Sequence, residues 1–202
     1  MTKIKLCGLS RLCDIEAANE LQPDYIGFVF APKSSRYVTG EKAAVLKRRL
    51  SPEIQAVGVF VNEPPEKVAA LLESGVIDIA QLHGSEDAQY MERLRQCTGK
   101  PIIRAFRVKS AEDIKTVEYC TADYLLLDSG AGTGTVFDWT LVKNIRRPYF
   151  LAGGLDACNV ANAIRELHPF AVDVSSGIET NGVKDKIKMA EFIAAVRKEE
   201  RI

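Results

Sequence analysis

Short apolar runs alternate along the chain with longer amphipathic stretches. Eight runs stand out, at residues 4–6, 25–29, 56–60, 79–82, 102–106, 124–127, 149–152 and 171–174. Glycine, serine or asparagine follows most of them within two residues. Several are apolar almost throughout rather than at every second position, which is the pattern of parallel strands covered on both faces. Between the runs the spacing turns helical. Ile15, Ala18 and Leu21 share one face of residues 14–21, and residues 67–72 follow Pro64-Pro65, a pair suited to a helix entrance. Helices are likewise predicted over 86–95, 111–118, 156–167 and 185–198, and with a less regular pattern over 41–49. Asp138 is placed to cap a short helix beginning near Trp139. Eight strands alternating with helices predict an α/β chain folded as a closed (β/α)8 TIM barrel. A doubly wound open sheet is the second reading, because periodicity alone does not decide closure.

No Pro/Gly/Ser-rich linker or close internal repeat interrupts this alternation, so residues 1–202 are expected to form a single domain. Its 27 basic and 27 acidic residues cancel, and 47% of positions are hydrophobic. That balance excludes a disordered or polyelectrolyte class. No long Lys/Arg stripe with interleaved aromatics is present, so nucleic acid is not an expected partner, whereas small anions remain open. The first residues turn polar at Gly8, Ser10 and Arg11, and no later run approaches a membrane span. The expected location is cytoplasmic, with no membrane partner. Five cysteines, at 7, 13, 97, 120 and 158, form an odd and dispersed set without a CxxC pair, the pattern of reduced thiols. Composition favours a monomer and leaves a homodimer open.

In a parallel barrel, chemistry collects at the carboxyl ends of the strands, where helix amino termini and adaptable loops surround one mouth. Cys7 occupies such an end, before Gly8; an ordinary buried cysteine fits the same local pattern. Asp128 closes the run at 124–127 and opens the loop Ser129-Gly130-Ala131-Gly132-Thr133-Gly134. A carboxylate at the mouth of an apolar core can donate a proton, and a turn cap would use the same residue. Barrel closure would leave strands one and six three steps apart around the ring, which makes Cys7 and Asp128 a workable pair. Gly153-Gly154 and Ser175-Ser176-Gly177 are glycine-containing exits of the last two strands. Their amides, with a short helix after strand eight, suit a phosphate, although each alone also fits a plain turn. The loop at 130–134 lacks the lysine of a nucleotide-binding P-loop. Arg36, in the second strand exit, offers a planar fork for a carboxylate or a solvated charge. His83 stands at the fourth exit as a ligand contact or a structural hydrogen-bonding group, while His168 beside Pro169 reads as a helix end. Two separated histidines give no metal-ligand set, so metal-independent chemistry is expected.

Six ordered blocks sharpen this picture. They are Lys3-Ile4-Lys5-Leu6-Cys7-Gly8, Lys33-Ser34-Ser35-Arg36-Tyr37-Val38, Gln81-Leu82-His83-Gly84, the stretch from Leu127-Asp128 through Gly132-Thr133-Gly134 to Phe137-Asp138-Trp139, Leu151-Ala152-Gly153-Gly154-Leu155, and Asp173-Val174-Ser175-Ser176-Gly177-Ile178-Glu179. Across essentially the full chain they resemble the phosphoribosylanthranilate isomerase family of tryptophan biosynthesis. The resemblance implies a (β/α)8 barrel enzyme of aromatic amino-acid biosynthesis that needs neither cofactor nor metal. Its small-molecule partner would be phosphoribosylanthranilate, rearranged within the molecule from an aldose to a ketose. It further implies Cys7 as base, Asp128 as acid and Arg36 as the contact to the substrate carboxylate. Gly153, Gly154, Ser175 and Ser176 would hold the phosphate, with His83, Gly132 and Gly134 lining the site. The alternatives are another sugar-phosphate isomerase or lyase, or a barrel that binds a phosphometabolite without catalysis. Ser35 and Ala131 depart from the family's common proline and glycine, a difference that bears on loop behaviour.

Overall fold

The computed structural model describes residues 1–108, 113, 117, 119–128, 142–143 and 145–199. Eight parallel strands, β1 (Lys3–Cys7), β2 (Tyr25–Val29), β3 (Gln55–Phe60), β4 (Ile79–Leu82), β5 (Ile102–Arg107), β6 (Tyr124–Asp128), β7 (Tyr149–Ala152) and β8 (Ala171–Val174), pair in sequence order. β8 then pairs with β1, through Lys3↔Ala171, Ile4↔Val172, Lys5↔Asp173 and Leu6↔Val174. The sheet is therefore a closed barrel, and the open-sheet alternative falls away. Among the described residues six helices surround it: α1 (Leu12–Leu21), α2 (Gly40–Lys47), α3 (Pro65–Glu73), α4 (Ala88–Cys97), α5 (Val160–Leu167) and α6 (Lys186–Glu199). The helix predicted at 111–118 lies mostly outside the described residues, and Asp138 and Trp139 lie wholly outside them.

Local chemistry explains the helix ends. Asp14 accepts from the amides of Ser10 and Arg11, closing the entrance of α1. Thr39 and Asp87 accept from Lys42 N and Tyr90 N at the starts of α2 and α4. Gln22 and His168 end α1 and α5 in the left-handed region, at φ 52° and 44°. His168 is thus a helix-end residue, as its place beside Pro169 predicts.

Side chains alternate across each strand, and this period of two sorts the core into two layers. Ile4, Leu6, Phe28, Leu82, Leu127 and Val174 pack outward against the helices. Inside the barrel, Tyr25, Tyr124, Phe150 and Phe170 pack at the amino end with ring centroids 5.2 to 5.8 Å apart, edge to face except for the stacked Tyr124–Phe170 pair. This aromatic plug closes the bottom. Lys5, Gln81 and Asp173, all buried, lie on the same inward faces one step higher. Cys7, Val29 and Val59 form the layer at the mouth. After β8 the chain makes a three-residue 3-10 turn, Ser176–Ile178, and then a small antiparallel hairpin, β9 (Glu179–Thr180) and β10 (Val183–Lys184). Asn181 and Gly182 form its turn at φ 52° and 77°, the backbone that a tight hairpin favours.

Candidate active site

Cys7, the last residue of β1, is buried at the mouth beside Val29 and Val59. Gly8 leaves the strand at φ +83°, where a Cβ would lie 2.5 Å from Arg36 Cδ. Glycine lets the chain turn away while the arginine stem crosses it. On the other flank, a Cβ on Gly27 would lie 2.7 Å from Cys7 Sγ, so β2 leaves room for the sulfur. Ser175 Oγ donates to the Cys7 carbonyl at 3.2 Å, tying the exits of β1 and β8 together.

Around this thiol the structure gathers a charged cluster. Arg36 Nε and Nη2 donate to the two carboxylate oxygens of Glu179 at 2.6 and 2.7 Å. Lys184 Nζ donates to Glu179 Oε1 at 2.6 Å and to the Ser175 carbonyl at 2.8 Å. Burial opposes ionisation of Glu179, but the hydrogen bonds and charges of Arg36 and Lys184 outweigh it and bring the carboxyl down to about 2. Burial likewise pulls Lys184 below the usual ammonium range, against the pull of Glu179. Beneath Cys7, Lys5 Nζ lies 3.0 Å from each oxygen of Asp173. Burial alone would discharge Lys5, yet Asp173 and Cys7 together raise its proton affinity. The Cys7 thiol itself is pushed up by burial and partly pulled back by Lys5 and Lys184.

Asp128 ends β6, three strands from β1 through β7 and β8. His83 Nε2 lies 3.6 Å from Asp128 Oδ2, and His83 Nδ1 lies 3.1 Å from Gln81 Nε2. These three side chains run from the barrel interior to the mouth. Gly153 and Gly154 leave β7 at φ 95° and 63°, conformations that glycine adopts freely. Asn159 Nδ2 pins the Gly154 carbonyl at 2.8 Å. A Cβ on Gly177 would lie 2.0 Å from the Leu155 carbonyl oxygen, so the β7 and β8 exits are in direct contact.

The structure thus brings Cys7, Arg36 and Ser175 into one cluster, with Ser176 in the same exit and the Gly153-Gly154 turn packed beside it. Asp128 and His83 pair on the facing arc of the mouth. Gly132 and Gly134 lie outside the described residues, as does Ala131. Among the described residues no group of three or more His, Cys, Asp or Glu side chains is gathered as for a metal ion. Lys5, Gln81, Asp173, Glu179 and Lys184 also belong to this region, though none is a candidate from the sequence. A readable signal existed for two of them: Lys5 and Asp173 are charges inside strand runs, each two residues before a residue singled out at the strand's exit, hence on the same face.

Eight parallel strands, flanking helices and polar groups collected at the strands' carboxyl ends are the layout of a (β/α)8-barrel enzyme. Residues 4–195 match the family model described as N-(5'phosphoribosyl)anthranilate (PRA) isomerase. The N-(5'-phosphoribosyl)anthranilate isomerase of Endomicrobium trichonymphae is 44% identical over 203 residues, covering 98% of this chain and 99% of that protein. The crystal structure of phosphoribosyl anthranilate isomerase from Thermotoga maritima superposes with a TM-score of 0.90 at 36% identity, over 98% of this chain and 100% of that one. A phosphoribosyl anthranilate isomerase crystallised with reduced 1-(o-carboxyphenylamino)-1-deoxyribulose 5-phosphate gives 0.87 at 35% identity, covering 98% and 100%. The chain belongs to the N-(5'-phosphoribosyl)anthranilate isomerase family.

Proposed function

We propose that Cys7 and Asp128 carry the proton transfers of an intramolecular Amadori rearrangement. The reaction converts N-(5-phospho-β-D-ribosyl)anthranilate to 1-(2-carboxyphenylamino)-1-deoxy-D-ribulose 5-phosphate, a step in tryptophan biosynthesis. Asp128, as acid, protonates the ribose ring oxygen as its bond to C1′ breaks, leaving an electrophilic imine. The Cys7 thiolate then removes the C2′ proton to give an enolamine, which tautomerises to the ketose. Acid assistance stabilises the departing oxygen, and a positioned base of this kind contributes about 10²- to 10⁴-fold. Arg36, whose Nε and Nη2 hold Glu179, receives the anthranilate carboxylate through Nη1, and the amides about Gly153, Gly154, Ser175 and Ser176 receive the phosphate. His83 lines the site against Asp128, and Gly132 and Gly134 complete its lining.

One observation supports this reading above the others: a thiol and a carboxylate end strands three steps apart on the same mouth, with Arg36 and Ser175 beside the thiol. We read the chain as a single-domain monomer, with sedimentation as the check against a homodimer. Among the described residues no helix is long and apolar enough to cross a membrane. A cytoplasmic location goes with the reading.

Metal-stripped protein is expected to convert freshly generated substrate, followed by loss of its fluorescence and by mass-resolved product. Cys7→Ala and Asp128→Asn should each lower kcat by about 10²- to 10⁴-fold in a folded protein. Near wild-type turnover in both would reject the pair. Arg36→Ala should raise KM; an unchanged KM removes its assignment. Substrate binding without product in the unaltered protein would instead favour a phosphometabolite-binding barrel.

A further inference from the structure

The acid–base pair leaves unused an ion pair sealed in the barrel interior. Lys5 is fully buried and Asp173 nearly so. Compared with apolar residues of similar size, such a pair is neutral or costly for stability. Its position directly beneath the mouth therefore points to the chemistry above it. Lys5 and Cys7 are two residues apart on β1 and share its inward face, the thiol one step nearer the mouth. Asp173 is the register partner of Lys5 on β8 and takes two ammonium contacts at 3.0 Å. An ammonium has three protons, so one is left beyond the two Asp173 oxygens, and the charges of Lys5 and Cys7 each favour ionisation of the other.

We propose that Lys5, held charged by Asp173 one step beneath Cys7 on the inward face of β1, is the positioning residue that stabilises the Cys7 sulfur as it ionises. This rests on the reading of Cys7 as the base. The charged groups facing the thiol are Lys5 from β1, Asp173 from β8, Lys184 from β10 and Arg36 from the exit of β2; β2 and β3 themselves present Gly27, Val29 and Val59. Lys184 and Arg36 are both engaged by Glu179 and act on the sulfur through space. Lys5 alone of the three cations stands on the same strand as Cys7, and it favours the ionised sulfur more strongly than Lys184 does. Asp173 alone would repel the thiolate; by holding Lys5 protonated it makes the pair a net benefit to the sulfur. The ion pair thus serves as a counter-ion that is already in place and already desolvated before substrate arrives.

The test is the pH dependence of Cys7 alkylation by iodoacetamide, in chains whose other four cysteines are serine. In Lys5→Met/Asp173→Asn, which leaves no unpaired buried charge, the alkylation limb should move up by about 1 to 3 pH units relative to the unaltered pair. In the same variant kcat should fall at least tenfold at neutral pH while KM changes less than twofold. A limb within 0.3 unit of the reference overturns the proposal. A second measurement needs no substitution in the pair: the Lys5 side-chain carbon resonance, followed by NMR, should report the Cys7 ionisation step and lose it once the thiol is alkylated. A Lys5 resonance blind to that step overturns the proposal even if the double variant does not fold. Cys7→Ala separates the two readings: if it turns over normally the base assignment fails, whereas an inactive Cys7→Ala with an unmoved limb defeats only the role of Lys5.

Discussion

Replacing Glu179 with glutamine takes a negative charge from between two cations, and the carboxyl's own ionisation sets the size of the effect. In the folded chain Arg36 and Lys184 outweigh the burial of Glu179 and bring it from 4.5 to about 2. That difference of about 2.5 units, at about 1.36 kcal/mol each, is worth about 3 kcal/mol. A depressed carboxyl contributes its full stabilisation above the unfolded value and loses it as pH falls toward the folded one. Between pH 7 and pH 3 about 2 kcal/mol of the 3 should disappear. The side chain is only 7% exposed, so solvent screening takes little from this figure. Glutamine does not titrate, and it resembles the protonated glutamate that the parent acquires in acid. Urea unfolding followed by circular dichroism should find Glu179→Gln less stable by about 3 kcal/mol at pH 7 and by about 1 kcal/mol at pH 3. A deficit of equal size at both pH values would refute the reasoning, because the loss would then come from packing and not from charge.

Two glycines give sharper steric tests. Gly177→Ala would drive a Cβ into the Leu155 carbonyl oxygen, 2.0 Å away, so the β7 and β8 exits must part. It should cost about 1–3 kcal/mol in urea unfolding and raise KM for the phosphorylated substrate; an unchanged KM would detach these exits from phosphate binding. Gly27→Ala would press on Cys7 Sγ from 2.7 Å. Displacement of the sulfur by about 1 Å should lower kcat by about 10²-fold with a smaller change in KM, and unaltered kinetics would show that the thiol has slack.

Most of the barrel was legible because a strand covered on both faces must be apolar throughout. The runs at 25–29, 79–82, 149–152 and 171–174 coincide with β2, β4, β7 and β8. The other four strands extend one or two residues further, into Lys3, Cys7, Gln55, Arg107 and Asp128. Polar residues at strand ends reach water or the mouth, and hydropathy does not count them. Helix entrances shifted for a related reason: Asp87 caps α4 and residues 156–159 form a side-chain-bonded turn, both polar signals that periodicity passes over. The hairpin after β8 is too short to show alternation, although Asn181-Gly182 is a turn signal in its own right. The thiol, the carboxylate and the glycine exits were visible because each adjoins a strand end. Glu179 and Lys184 were not, since their partners come from the exits of β2 and β8 and only closure brings these together. Arg36 shows the difference plainly: its fork suits a carboxylate, and the structure supplies one from Glu179.

Closure of β8 onto β1 also sets when the thiol's surroundings come into being. The Lys5–Asp173 pair and the Ser175 hydrogen bond to Cys7 each join residues 168 positions apart. At roughly 5–20 residues per second of synthesis, Cys7 precedes these partners by roughly ten to thirty seconds. Through that interval the growing chain carries Cys7 and Lys5 with no Asp173 to hold the ammonium and no serine exit beside the sulfur. Neither a nascent chain nor one cut before residue 171 can make the seam that surrounds the sulfur. The surroundings of the thiol are therefore completed only by the last strand.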